Sequence, residues 1–170
     1  MSRGFTLLEL MVTIAILAIV AGLSTPSFLR TIENNRAATA SNDFALAIIQ
    51  ARSEAVKRNQ PVAICKSSDG ATCTNSDDWE QGWISFVDVD GDSILDGGDT
   101  IFAQHEALDG NTTLRAVNGT DSVLPILSDG TTGFLEVFDI CVDTDTSRGR
   151  SIDLAVTGRP SRDVGATQCP

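Results

Sequence analysis

Three groups of residues have types and spacings that could carry chemistry. The first is the Gly4-Phe5 junction followed by Glu9, at the start of an apolar run. The second is an aspartate series in the segment FVDVDGDSILDGGDTIF, namely Asp88, Asp90, Asp92, Asp96 and Asp99. The third is a C-terminal group of arginines, Arg148, Arg150, Arg159 and Arg162. Their residue types indicate, in turn, charge neutralisation in apolar surroundings, cation binding and anion binding.

Glu9 stands at the head of a run that is apolar from Leu10 to Leu23 except for Thr13. Counted from Phe5, the run has about the length that a helix needs to span hydrocarbon. An ionised carboxylate in a membrane helix costs about 2.5–3.5 kcal/mol, so its presence there indicates a function. A cleaved secretory signal does not need this residue. An anchor residue at the headgroup boundary is the remaining structural alternative.

A cut between Gly4 and Phe5 would account for the carboxylate. It would create an α-amino group on Phe5 with a pKa of about 8, and hence a cation. An amine on one helix and Glu9 on its neighbour would neutralise each other where the Coulomb attraction is strong. Glu9 would then set the register of stacked helices.

The N-terminal segment RGFTLLELMVTIAILAIVAGLSTPSF resembles the class III signal of type IV pilins and type II secretion pseudopilins. Its basic leader, its Gly4-Phe5 junction, Glu9 and Pro26 carry that resemblance. The later segments LAIIQARSEAVKRNQPVAIC and WEQGWISFVDVDGD resemble the minor-pilin family called GspH/FimT/FimU. The resemblance implies that prepilin peptidase cuts after Gly4 and N-methylates Phe5. It also implies that Glu9 pairs with a neighbour's amine and that Pro26 marks a kink in the helix.

This resemblance further implies a structural protein and not an enzyme: a minor pilin or pseudopilin that joins a type IV pilus or a type II secretion pseudopilus, near its tip. The implied partners are other major and minor pilins or pseudopilins, prepilin peptidase and the inner membrane. The implied location is the bacterial inner membrane, as a single-pass protein with a periplasmic head, and then the fibre. The domains expected are a leader at 1–4, a transmembrane and assembly half-helix at 5–25, an amphipathic half-helix at 26–60 and a β-rich head at 61–170.

The spacing of apolar residues supports these elements. After Pro26 the apolar residues recur every three or four positions, as at Phe44, Ile48 and Ala55, with Ile49 and Val56 beside them. This pattern predicts one helix from about residue 5 to about residue 58, whose second half lays one face on a head. After it come seven short runs rich in β-branched and apolar residues, separated by Gly- and Asp-rich turns: PVAIC, WISFV, TIFAQ, TTLRAV, SVLPIL, GFLEVFDICV and SIDLAV.

The fold class predicted is therefore α+β: a long N-terminal helix with a hydrophobic first half, packed on a C-terminal antiparallel head of two small sheets, the pilin fold. The four cysteines, Cys65, Cys73, Cys141 and Cys169, indicate disulfides if the head leaves the cytosol. Of three possible pairings, sequence proximity favours Cys65–Cys73 and Cys141–Cys169. A zinc site is the alternative, but no C-x-x-C spacing is present and His105 is the single histidine.

The five aspartates occupy relative positions 1, 3, 5, 9 and 12 of a loop, which are oxygen-ligand positions of an EF-hand-like calcium site. Two features depart from that pattern: Ser93 stands where a glycine is expected, and the last ligand is Asp99 and not glutamate. A β-hairpin tip, in which Asp and Gly supply turn geometry, is the other interpretation and the one the residue types favour. No cofactor is therefore expected, with calcium as the open alternative.

The four arginines stand out in a chain with a formal net charge of −11. The acidity is concentrated at residues 67–110, which hold eleven acidic residues and no Lys or Arg. The segment Gly158-Arg159-Pro160-Ser161-Arg162 resembles, with one residue too many, a motif through which FimT-like minor pilins take up DNA. Phosphate contacts at these arginines are thus one interpretation. A solvated strand edge, or ion pairs with Asp153 and Asp163, is the other. His105 is alone and is expected in a surface turn, so no catalytic set can be assembled.

Overall fold

In the computed structural model the described residues are 4–75, 78–119 and 122–169, and the side chains of residues 22–27 and 29 lie outside the description. Most of the predicted leader and the side chain of Pro26 therefore fall outside it. The chain divides into two compact units, Met1–Asn35 and Arg36–Pro170.

A single helix, α1 (Leu7–Arg58), occupies the N-terminal third of the chain. It continues through Pro26, and the kink expected there stays a prediction. Its end is fixed by backbone geometry, because Asn59 adopts a left-handed φ of 52°. The N–H groups of Asn59 and Gln60 then donate to the carbonyls of Val56 and Ala55, at 3.3 and 3.2 Å. This Schellman arrangement, followed by Pro61, ends the helix where the sequence predicted.

In the first unit, all of residues 4–21 are exposed. Large apolar side chains dominate this surface, and Leu7, Met11 and Leu17 are each at least 65% exposed. Among the described residues, no helix combines enough length with enough hydrophobicity to pass through a lipid bilayer. The transmembrane assignment of residues 5–25 stays a prediction.

In the second unit, the described residues form eight strands in two antiparallel four-stranded sheets. The first sheet has the order β3-β2-β1-β5, built from β1 (Val62–Lys66), β2 (Trp83–Val87), β3 (Thr100–His105) and β5 (Val123–Ile126). The second has the order β4-β6-β7-β8, built from β4 (Thr112–Ala116), β6 (Glu136–Val142), β7 (Arg150–Leu154) and β8 (Pro160–Val164). Seven of these strands match the seven predicted runs, and the eighth, β8, was not predicted.

The core lies between the helix and the sheets, and Phe44 is at its centre. Its ring makes edge-to-face contacts with Trp79, Trp83 and Phe138, at centroid distances of 5.3, 5.0 and 4.8 Å. Ile48 is also fully buried. Both tryptophans are therefore core residues.

The predicted apolar face of α1 is narrower than expected. Ala55 is fully buried, whereas Ile49 and Val56 are more than half exposed. Arg52, which falls on the buried side, is half-buried and donates from Nε to the carbonyl of Gly130 at 3.1 Å. The helix thus leaves an apolar stripe facing solvent.

Strand β6 does not alternate between buried and exposed side chains, as a strand with one solvated face would. Asp139 is only 1% exposed, although its neighbours Phe138 and Ile140 are both fully buried. The C-terminal segment covers it: the N–H groups of Thr167 and Gln168 donate to Asp139 Oδ2 at 2.9 and 2.8 Å. A disulfide between Cys141 and Cys169 holds the same segment against the sheet. The alternation fails because the chain folds back over its own second sheet.

Both disulfides follow the pairing that sequence proximity favours. Cys65 is bonded to Cys73 and Cys141 to Cys169, with Cα–Cα distances of 5.6 and 5.8 Å. The cysteines are therefore bonded in pairs and do not form the zinc site of the alternative interpretation.

Candidate functional site

The helix begins directly after the Gly4-Phe5 junction, with Thr6 as its N-cap. Thr6 Oγ1 accepts the backbone N–H of Glu9 at 3.3 Å, and the Thr6 carbonyl accepts the N–H of Leu10. Thr6 and Glu9 have the Thr-x-x-Glu spacing of a capping box, a signal that the sequence analysis missed. A carboxylate there is also favoured by the positive end of the helix dipole. Glu9 thus has a local role in addition to the pairing predicted for it.

The aspartates at 88–99, here called the acidic loop, form the β2–β3 connection. The carboxylate of Asp88 is buried and accepts the N–H groups of Gly91 and Ser93 at 2.8 and 3.0 Å. Asp99 accepts the N–H groups of Val89 and Asp96, at 3.0 and 3.1 Å. Two aspartates that are 11 positions apart in sequence therefore hold the loop from both of its ends.

Three of the five aspartates predicted to form a calcium site come together. One carboxylate oxygen each of Asp88, Asp90 and Asp99 lies within 4.8 Å of the others. Asp92 and Asp96 do not join this group; they accept the N–H groups of Ile94 and Gly98 within the loop. Desolvation, and after it the negative charge of Asp92, raises the pKa of Asp90. The geometry is that of a hydrogen-bonded hairpin tip, and the calcium alternative stays a prediction.

Three of the four arginines line one open groove beside the helix. Arg150, Arg159 and Arg162, here called the arginine groove, line it together with Asn42, Ser161 and one acidic residue, Asp163. Arg162 Nη1 donates to Asn42 Oδ1. Strand β8 creates the groove, because it returns Arg162 to the helix after the β7–β8 turn.

The fourth arginine lies elsewhere. Arg148 pairs with Asp145 and Asp143, at 2.8 and 3.8 Å, in the short 3₁₀ turn Thr146–Arg148. The ion pairs expected between the arginines and Asp153 or Asp163 do not form among the described residues. Instead, burial and then the charge of Asp163 raise the pKa of Asp153.

Comparison with known proteins decides the family. A family model described as Type II transport protein GspH matches residues 40–158, which is more than two thirds of the chain. A second one, the Prokaryotic N-terminal methylation motif, matches residues 1–25. The chain belongs to the GspH family.

Individual relatives agree with this assignment. The GspH-family chain is 32% identical over 105 residues to the Pilin-like protein PilA1 of Thermus thermophilus, an alignment that covers 61% of the chain and 59% of that relative. The chain therefore spans about three fifths of the length of this curated relative. Two crystal structures of the type IV minor pilin FimU from Pseudomonas aeruginosa PAO1 match with TM-scores of 0.65 and 0.61, at 20% identity. They cover 80% and 78% of this chain, and 96% and 98% of the FimU chains.

These matches confirm the predicted family and the predicted pilin fold. The GspH-family chain carries an N-terminal methylation motif, and its head has the pilin fold seen in FimU. His105 lies at the end of a strand and packs against the core, and not in the surface turn that was predicted. It ends β3, stacks on Trp83 at a centroid distance of 4.0 Å and places Nε2 3.5 Å from Asp43 Oδ2.

The acidic loop of the GspH-family head gives a first prediction. Replacing Asp88 with alanine should lower the free energy of unfolding by about 1–3 kcal/mol, because two loop N–H groups lose their acceptor. Urea unfolding followed by tryptophan fluorescence measures this loss. The matched control is Asp92→Ala, an exposed aspartate with one loop bond, which should cost about 0.5 kcal/mol or less. Equal costs for the two variants would contradict the proposed anchoring role of Asp88.

A second prediction concerns calcium at the same loop. Because both oxygens of Asp88 and of Asp99 already accept backbone N–H groups, we expect the same melting temperature in excess CaCl₂ as in excess EDTA. Calorimetry of the purified chain measures it. A rise of several degrees in calcium that Asp90→Asn abolishes would support the calcium alternative instead, since a ligand that binds only the folded state raises its stability.

Proposed function

We propose that this protein is made as a membrane-anchored precursor, cut by prepilin peptidase between Gly4 and Phe5, N-methylated on Phe5 and built into a type IV pilus or a type II secretion pseudopilus. The exposed apolar surface at residues 4–21 is the observation that carries the proposal. So long an apolar surface has to be covered, first by lipid and then by the helices of other subunits. Its partners are accordingly other major and minor pilins or pseudopilins.

The proposal includes a position in the fibre. As a minor component the protein is placed near the tip, where few copies are needed. Gold-labelled antibodies against the head, applied to sheared fibres, should mark one end of each fibre. Labels spaced along the shaft would refute the tip position, and an absence of label from all fibres, with the protein present in the cells, would refute incorporation.

A second candidate function is DNA capture for natural transformation, and the arginine groove is the observation that favours it. The three arginines line one open surface together with Asp163, and none of them forms a salt bridge with a carboxylate within the described ranges. Such a groove would contact phosphates through charge-assisted hydrogen bonds, without reading sequence. The overall negative charge opposes this role at long range.

The DNA role gives a third prediction. Arg159→Ala and Arg162→Ala should each weaken duplex binding severalfold in gel shifts, and each should reduce the slope of log K against log salt by about one. Arg148→Ala is the matched control, because this arginine is held by Asp145 outside the groove. If both groove variants bind DNA like the parent chain, the groove is not a DNA site.

A further inference from the structure

The head carries two exposed surfaces of opposite charge that cannot meet within one chain. The acidic loop begins beside the end of α1, where the Asp88 N–H donates to the Pro61 carbonyl at 3.0 Å. The arginine groove lies beside Asn42 of the same helix. The 16 helical positions from Asn42 to Arg58 separate the two surfaces by about 24 Å along the axis, at about 1.5 Å per residue.

We propose that the acidic loop of one copy docks into the arginine groove of a second copy. Three aspartates of the loop, Asp90, Asp92 and Asp96, are exposed, and none of them forms a salt bridge in the part of the chain that the structure describes. The sequence places no Lys or Arg between residues 67 and 110. The loop is therefore an anionic ligand that every copy presents.

The groove offers the matching cations. Arg159 is exposed, and Arg162 is held in place by Asn42 without being neutralised, since amide oxygen carries no charge. Arg150 donates from Nη1 to the carbonyls of Arg148 and Gly149, which also leaves its charge uncompensated. An arginine guanidinium can bind one carboxylate through two parallel hydrogen bonds.

The contact has a definite symmetry. Because two different surfaces meet, it is head-to-tail, so it joins the few copies near the tip in series and does not form a closed dimer. The docking depends on the proposed function only in that the two copies would meet within a fibre. The raised pKa of Asp90, which follows from desolvation and from the crowding of negative charge, is consistent with a loop that gains from a cationic partner.

A zero-length cross-link tests the docking. Arg162→Lys keeps the charge of the groove and supplies an amine that carbodiimide joins to a carboxylate in direct contact. The full chain in detergent, mixed from ¹⁵N-labelled and unlabelled protein, should yield hybrid cross-linked peptides that connect residue 162 to Asp90, Asp92 or Asp96. We expect 0.5 M NaCl to reduce their yield severalfold.

Matched variants test whether the aspartates of the acidic loop make the contact, or whether any exposed acidic residue of the head would serve. Asp92→Asn with Asp96→Asn should lower the yield of hybrid peptides at least tenfold. Glu106→Gln with Asp109→Asn removes the same charge from exposed positions outside the loop and should leave the yield unchanged. Equal yields in the two double variants, or cross-links of residue 162 only to its own chain, would overturn the docking.

Two further outcomes distinguish this inference from the proposals above. If hybrid peptides are absent while the N-terminus of the same sample is correctly cut and methylated, the docking fails and the fibre function stands. If hybrid peptides are absent and the Arg162→Lys chain retains duplex binding, the docking is overturned in favour of DNA as the occupant of the groove.

Discussion

Changing Glu9 to glutamine should exclude this protein from its fibre. The substitution removes the charge and keeps the capping box, because glutamine serves at that position as well as glutamate. If Glu9 neutralises a neighbour's Phe5 amine, the variant leaves that amine buried and unpaired, which costs about 3–5 kcal/mol. Such a cost corresponds to a more than hundredfold loss of incorporation, measured by immunoblots of sheared fibres against whole cells.

The cap itself supplies the matched control. Thr6→Ala removes the side chain that accepts the Glu9 N–H and leaves the carboxylate in place. It should cost about 1 kcal/mol of helix stability and should permit incorporation. If the Glu9→Gln variant is incorporated into fibres normally and the Thr6→Ala variant is not, Glu9 acts as a capping residue and not as the partner of an amine.

Changing Phe44 to alanine should have the largest effect on the stability of the head. Phe44 is fully buried and joins the helix to three aromatic rings of the β region. Truncation of a buried phenylalanine costs about 3–5 kcal/mol, through lost burial and the cavity that remains. Since domains are stable by only about 5–15 kcal/mol, we expect a large shift of the urea midpoint.

Leu46 is the control for Phe44. It lies two positions further along the same helix and is 60% exposed. Leu46→Ala should change the free energy of unfolding by about 0.5 kcal/mol or less, since alanine is also the better helix former. Equal losses for Phe44→Ala and Leu46→Ala would contradict the assignment of the core to the Phe44 side of α1.

Elements with strong local patterns could be predicted from the sequence. The helix end near Arg58 followed from Pro61, because proline cannot continue a helix and disfavours helical backbone in the residue before it. Seven strands were predicted because each pairs a β-branched or aromatic run with a turn rich in Gly, Asp or Asn. The pilin-type signal followed from Gly4, Phe5 and Glu9, and the family followed from the resemblance of the segments at 46–65 and 79–92.

Features that depend on distant parts of the chain could not be predicted. Strand β8 reads as polar, PSRDV, because all but its first residue are exposed at the edge of the second sheet. Asp139 is buried because residues 167 and 168, far along the chain, hydrogen-bond to its carboxylate. None of these contacts leaves a periodic trace in the sequence.

The central claim is that proteolysis creates an amine on Phe5 for Glu9 to neutralise. Mass spectrometry of the N-terminal peptide of the protein isolated from fibres tests it most directly. The account predicts a peptide that begins at Phe5 and carries one methyl group on its α-amine. A fibre-derived chain that begins at Met1, or whose terminus lies at any residue other than Phe5, would contradict it.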